Sequence, residues 1–123
     1  MDASQALADL TEISSQIEAA VLFGADGSVA GSTLADEARA QALAHDALEL
    51  LEAAGGAGVT QVEASMHEGS VFVVRGDERG IVAVTSTDPT VGLVFYDLKS
   101  CLRNADGEKA KRRRKSAAKE DDA

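Results

Sequence analysis

His45, His67 and Cys101 are the side chains of this 123-residue sequence best suited by type to bind a metal or attack a substrate. Neither histidine has a second His or a Cys at the spacing a zinc site needs. His45 sits on the polar face of a helical segment, and His67 sits in the turn His67-Glu68-Gly69 between two strand patterns. Both are therefore read as surface histidines. Cys101 falls on the apolar stripe of the last helical segment, so a buried and inert thiol is expected rather than a nucleophile. One cysteine also rules out an intrachain disulfide and an all-cysteine metal site. Gly55-Gly56-Ala57-Gly58 has the glycine content of a phosphate-binding loop. It follows a helix rather than a strand and lacks the Gly-Lys-Ser/Thr ending, which excludes that chemistry. There is no nucleophile elbow and no carboxylate pair distinct from the general acidic surface. The sequence offers no support for an enzyme, a metal or a cofactor.

The elements that carry these residues follow from hydrophobic spacing. Ala6, Leu7, Leu10, Ile13 and Ile17 recur at helical intervals, so residues 4–17 are expected to be a helix with Ser4 as its N-cap. Ala20-Val21-Leu22-Phe23 is a short apolar run suited to a strand covered on both faces. Asp26-Gly27 then predicts a type I′ hairpin turn, which needs positive φ at both central residues. Residues 28–32 form a weak return strand, expected at a sheet edge. Residues 36–54 form a longer helix with two adjacent apolar stripes. Leu43, Ala47, Leu50 and Ala54 make one, and Ala40, Ala44, Leu48 and Leu51 the other. Together they cover roughly 160° of the helix, counting ~100° per residue. Two explanations stay open for this width: the second stripe covers a partner, or the helix is simply rich in Ala.

The glycine run ends that helix, because glycine readily takes the left-handed conformation of a helix C-terminus. Three strands follow. Thr60, Val62, Ala64 and Met66 alternate with Gln61, Glu63 and Ser65, which describes a strand with one wet face. Val71–Val74 and Ile81–Val84 are more uniformly apolar. The last helix is expected to open at Asp88-Pro89, with Asp as N-cap and Pro at the first position. Its stripe is Val91, Val94, Phe95, Leu98, Cys101 and Leu102, with Leu93 and Tyr96 on the exposed side. The element order is αββαβββα. Short turns imply antiparallel pairing, and the expected class is α/β (α+β): a five-stranded antiparallel sheet with one helix on one face and two on the other.

Apolar residues make up 45% of the chain but aromatics only 3%, so the core must be built mostly from aliphatic side chains and alanine. The formal charge is −9. Residues 108–123 hold seven basic and four acidic residues (+3), leaving five and 17 in residues 1–107 (−12). The sequence thus divides into a folded domain, 1–107, and a basic tail with an acidic end, 108–123, expected to be disordered because it has no apolar side chain larger than Ala. An acidic body repels phosphates, which argues against nucleic acid as the main partner. Three roles stay open for the tail: contact with an anionic membrane or other polyanion, solubility, or folding back on the acidic domain. No apolar run approaches the length of a bilayer span, and the N-terminus has neither the basic region nor the apolar stretch of a signal peptide. A cytoplasmic location is expected.

Two strings, Ala19-Ala20-Val21-Leu22-Phe23-Gly24-Ala25-Asp26-Gly27-Ser28-Val29-Ala30 and Thr90-Val91-Gly92-Leu93-Val94-Phe95-Tyr96-Asp97-Leu98, combine with the element order across residues 4–104. In this combination the chain resembles the roadblock family of dynein light chains and bacterial regulators of Ras-like GTPases. The second string is most like bacterial members encoded beside a sensor kinase and a small GTPase.

The resemblance implies a non-catalytic homodimer. The second helices would pack antiparallel and the third strands pair edge to edge in a ten-stranded sheet. The implied interface is Ala40, Ala44, Leu48 and Leu51 with Val59, Gln61 and Glu63. A Ras-like GTPase would dock over Arg39, Gln41, His45, Glu49 and Glu52, and the dimer would shift the GTPase's own catalytic elements rather than insert an arginine. A sensor kinase or other signalling protein is a further implied partner. The alternative is a scaffold of the same fold with no effect on nucleotide turnover.

Overall fold

The computed structural model describes residues 2–105, so the expected 107/108 boundary and the basic tail lie outside the described residues. Helix α1 spans Ala3–Ile13, strand β1 Ile17–Gly24, strand β2 Val29–Ser32 and helix α2 Glu37–Ala54. A short turn of tighter helix, Gly56–Gly58, leads to β3 (Gln61–Met66), β4 (Gly69–Arg75) and β5 (Arg79–Thr85). Helix α3 occupies residues 91–105. All strand pairs are antiparallel, and the sheet order is β2-β1-β5-β4-β3. The expected αββαβββα architecture is therefore present, with β5 at the centre and β2 and β3 as the two open edges.

Alternation along the strands divides the core into two layers. Ala20, Leu22, Phe72, Val74, Ile81 and Ala83 face α1 and α3, while Val21, Phe23, Val71, Val73 and Val82 face α2. One helix thus covers one face and two cover the other. Phe72 meets the ring of Phe95 edge-on, with centroids 5.0 Å apart and planes at 78°. Two glycines are dictated by close approach. A Cβ on Gly69 would overlap the backbone carbonyl of Thr85, and one on Gly80 would sit 2.5 Å from the ring of Phe23. Arg75, at the end of β4, donates to the carbonyls of Gly56 and Val59, both at 2.6 Å. This ties the chain leaving α2 to the sheet, a role its sequence position does not announce.

Several local expectations are corrected. Helix α1 stops at Ile13, not residue 17, because Ser14 is already extended and its N–H closes on the Leu10 carbonyl. Ile17 belongs to β1, paired with Thr85, and enters the same core layer from a strand. Ile13 is 67% exposed. The α1 cap is Asp2, whose carboxylate accepts from the Gln5 N–H, not Ser4. The Asp26-Gly27 turn is not type I′, since only Gly27 has positive φ (86°). Asp26 instead turns its carboxylate onto Ser28, the side-chain-to-backbone bond that makes Asp a turn residue. Helix α3 begins at residue 91 rather than at Asp88-Pro89. Asp88 has φ 58°, left-handed backbone rather than the extended backbone of an N-cap, and the Val94 N–H bonds back to the Thr90 carbonyl. Val91, expected on the apolar stripe, is exposed in the first turn. Among the described residues no helix is long and apolar enough to cross a membrane.

Candidate functional site

Helix α2 is held at both ends by local chemistry. Asp36 caps its first turn by accepting from the Ala38 N–H at 2.9 Å. Gly55, at φ 139°, ends it with its N–H on the Leu51 and Glu52 carbonyls. Between these ends Ala40, Ala44, Ala47 and Leu51 are buried against the sheet, none more than 1% exposed. They pack on Val21, Phe23, Val73 and Val82, whose bulk fills the layer so that three of the four facing helix positions are alanine.

This placement corrects the division of the two stripes. Ala40, Ala44 and Leu51 are already covered within the chain, so a partner cannot bury them further. The apolar surplus is on both flanks: Leu43 and Leu50 are half-buried and Ala54 exposed on the other stripe, and Leu48 is half-buried on this one. Width alone marks a surplus in the sequence; it does not say which half faces the sheet.

The two flanks of α2 differ. On the side of Leu43 the helix borders the end of the sheet at Ala19 and Val84, with Leu34, Arg39 and Asp46 completing a groove of about 400 Å³. Leu50 continues this flank, and half-buried Val59, Val62 and Val84 pack on the same core layer. Beyond them lies β3, whose outer edge is unpaired among the described strands. Gln61, Glu63 and Ser65 are exposed on its far face, and Val62 and Ala64 are half-buried on the α2 face.

On the other flank, α2 and the β1–β2 hairpin enclose a groove of about 860 Å³. Glu37, Gln41, His45 and Leu48 line its helix side, and Asp26 to Ser32 line its strand side. Leu48 leans toward this hairpin: a Cβ added to Gly27 would meet it at 3.3 Å.

Arg39, Gln41, His45, Glu49 and Glu52 are all exposed, but they do not form one patch. Gln41 and His45 face the hairpin groove, Arg39 the opposite groove, and His45 approaches Glu49 at 3.1 Å along the crest. His67 is exposed in its turn. Cys101 is buried, and its thiol donates to the Ala6 carbonyl at 3.4 Å. Burial, with a smaller push from the Asp9 charge, raises its pKa to about 11, so it is protonated and unreactive at neutral pH. Among the described residues no three His, Cys, Asp or Glu side chains gather where a metal could bind.

The Asp26 carboxylate is held below its ordinary value of 3.8, first by the Ser28 hydroxyl and then by the Ser28 N–H. Its charge favours the turn above its unfolded pKa, and that contribution is lost as pH falls through the lower folded value. Ser28→Ala should bring the Asp26 titration back up toward 3.8 without altering the hairpin. An NMR titration of the Asp26 carboxyl carbon reads this; an unchanged midpoint would mean that the hydroxyl bond is not formed in solution.

No family model matches the sequence, and no curated protein matches it. Solved structures do match in shape. One Roadblock/LC7 domain from Streptomyces avermitilis superposes with a TM-score of 0.76 at 18% identity, over 89% of this chain and 99% of that one. A Roadblock/LC7 domain structure from the same organism gives 0.66 at 24% identity, over 81% and 94%. The gliding protein MglB of Thermus thermophilus gives 0.63 at 16%, over 84% of each chain. The strand order, the two core layers and the placement of all three helices lead to one conclusion: the chain has the Roadblock/LC7 fold.

Proposed function

We propose that the chain is a non-catalytic, homodimeric regulator or adaptor that binds a small Ras-like GTPase and modulates its nucleotide cycle or location. The observation that carries this reading is the continuous open surface formed by the β3 edge and the Leu43–Leu50 flank of α2. An unpaired strand beside half-buried leucines is an aggregation hazard for a lone chain. A two-fold twin removes it: β3 pairs with β3, the sheet grows to ten strands, and two α2 helices come together along Leu43, Leu50 and Ala54. In this reading Val59, Gln61 and Glu63 stay in the interface, and Leu43 and Leu50 replace Ala40, Ala44, Leu48 and Leu51, since Leu48 lines the hairpin groove. The dimer then presents two copies of the crest carrying His45, Glu49 and Glu52, an acidic surface for a partner, with Arg39 on the Leu43 side of it.

The GTPase assignment is supported by the resemblance of the first hairpin and the last helix to bacterial regulators of Ras-like GTPases, and by a fold shared with MglB. A purified Ras-like GTPase from the source organism should co-elute with the dimer and hydrolyse or exchange nucleotide at a changed rate. A complex with unchanged turnover selects the scaffold reading. Absence of any complex across the organism's Ras-like GTPases overturns both.

A further inference from the structure

The hairpin groove lies between helix α2 and the β1–β2 hairpin. All four β2 residues, of both parities, line it, so it runs along the outer edge of β2, which no described strand pairs, with α2 as the other wall. A groove between an edge strand and a helix is the geometry that captures a peptide segment by main-chain pairing. Its lining carries two carboxylates, Asp26 and Glu37, and no Lys or Arg. The five cations of residues 1–107 lie elsewhere: Arg39 in the opposite groove, Arg75 and Arg79 by the β4–β5 turn, Lys99 and Arg103 on α3.

The chain also exits close by. Helix α3 runs antiparallel to α1: the Thr90 N–H meets the Gln16 side chain beyond the end of α1, while Cys101 meets Ala6 near its start. Ala105 lies about 6 Å further along, at ~1.5 Å per helical residue. The same N-terminal half of α1 sits on β2, where a Cβ on Gly31 would meet Leu7 at 3.0 Å and Ala3 at 3.2 Å. From Ala105, four residues reach Lys109, a span of up to about 13 Å. Residues 109–115 hold six Lys and Arg in seven positions.

We propose that this basic run, 109–115, docks along the β2 edge of its own protomer, in the groove between α2 and the β1–β2 hairpin, with its cations toward Asp26 and Glu37. Docking there brings the run against Gln41 and His45, which line the helix side of the groove. The groove lies on the flank of α2 away from β3, so the inference stands apart from the dimer and GTPase readings.

The test is an amide NMR comparison of the full chain with the full chain carrying Arg112→Gln, Arg113→Gln and Arg114→Gln. The amides of residues 29–32, Gln41 and His45 should shift on substitution. Adding 1 M salt to the unsubstituted chain, where screening acts over about 3 Å, should reproduce those shifts. Glu37→Gln should in turn shift the amides of residues 112–114. Three outcomes overturn the proposal: groove amides that do not respond, responses confined to the Arg39 groove or to α1, and shifts that vary with protein concentration, which would place the tail on a second copy.

Discussion

Leu50→Asp is expected to convert the proposed dimer to a folded monomer, raising its dissociation constant about a hundredfold. Leu50 is half-buried on the flank of α2 that borders β3, with its outer side open. In a lone chain an aspartate there keeps water, so the helix and the sheet beneath it survive. Against a twin's α2 the same carboxylate loses water and gains no partner, since Leu43, Leu50 and Ala54 offer no donor. Leaving a polar group in that state costs about 1–3 kcal/mol, more when it is charged. About 3 kcal/mol corresponds to roughly a hundredfold in dissociation constant. Sedimentation equilibrium of the variant reads the change directly, and circular dichroism confirms that the fold is retained. Leu48→Asp is the discriminating control. Leu48 points to the hairpin groove, so its substitution should leave the dimer intact. If Leu48→Asp dissociates the dimer and Leu50→Asp does not, the helices meet on the other flank and the surface assigned here is wrong.

That control marks where sequence reasoning stops. The order of elements is legible because the strands alternate cleanly and Gly55-Gly56-Ala57-Gly58 and His67-Glu68-Gly69 punctuate them. The excess apolar width of α2 is legible too. The half that touches the sheet is not, because Ala40, Ala44 and Ala47 read as neutral until Phe23 and Val73 are seen to fill the layer below them. Ile17 shows a similar limit. It continues the helical period of Ile13 and lands in the right core layer, yet it belongs to a strand, since periodicity reports burial more faithfully than backbone state. The hairpin groove is invisible in sequence for a different reason. Asp26 and Glu37 come together only through the packing of α2 beside the β1–β2 hairpin. Arg75 is the same kind of residue: its bonds to Gly56 and Val59 span 19 and 16 positions, and no local pattern encodes them.

Phe72→Ala carries the largest expected cost to folding, about 4 kcal/mol. The chain has three Phe and one Tyr, and the Tyr, Tyr96, is 64% exposed. Each core layer therefore has one large buried ring on the sheet, Phe23 beneath α2 and Phe72 beneath α3. Truncating a buried Phe to Ala costs ~3–5 kcal/mol through lost transfer energy and the cavity left behind. The edge-on pair with Phe95 adds about 0.5–1.5 kcal/mol that burial alone does not count. Small aliphatic neighbours such as Val74, Ala83 and Val94 cannot collapse into a ring-sized void, so little of this is recovered. Against a stability of roughly 5–15 kcal/mol for a domain, the loss is a large fraction. With a urea slope of ~2 kcal/mol per molar, the midpoint should fall by about 2 M. Phe95→Leu, which keeps most of the volume and removes only the ring contact, should cost under half as much. The proposed dimer would make the comparison conditional, because association stabilises the folded chain by mass action. The two proteins must be unfolded at equal concentration, and the midpoint of each should rise with concentration. A Phe72→Ala loss below about 1 kcal/mol would mean that α3 does not pack on β4 as described. A concentration-independent midpoint would mean that the unit that folds is the single chain.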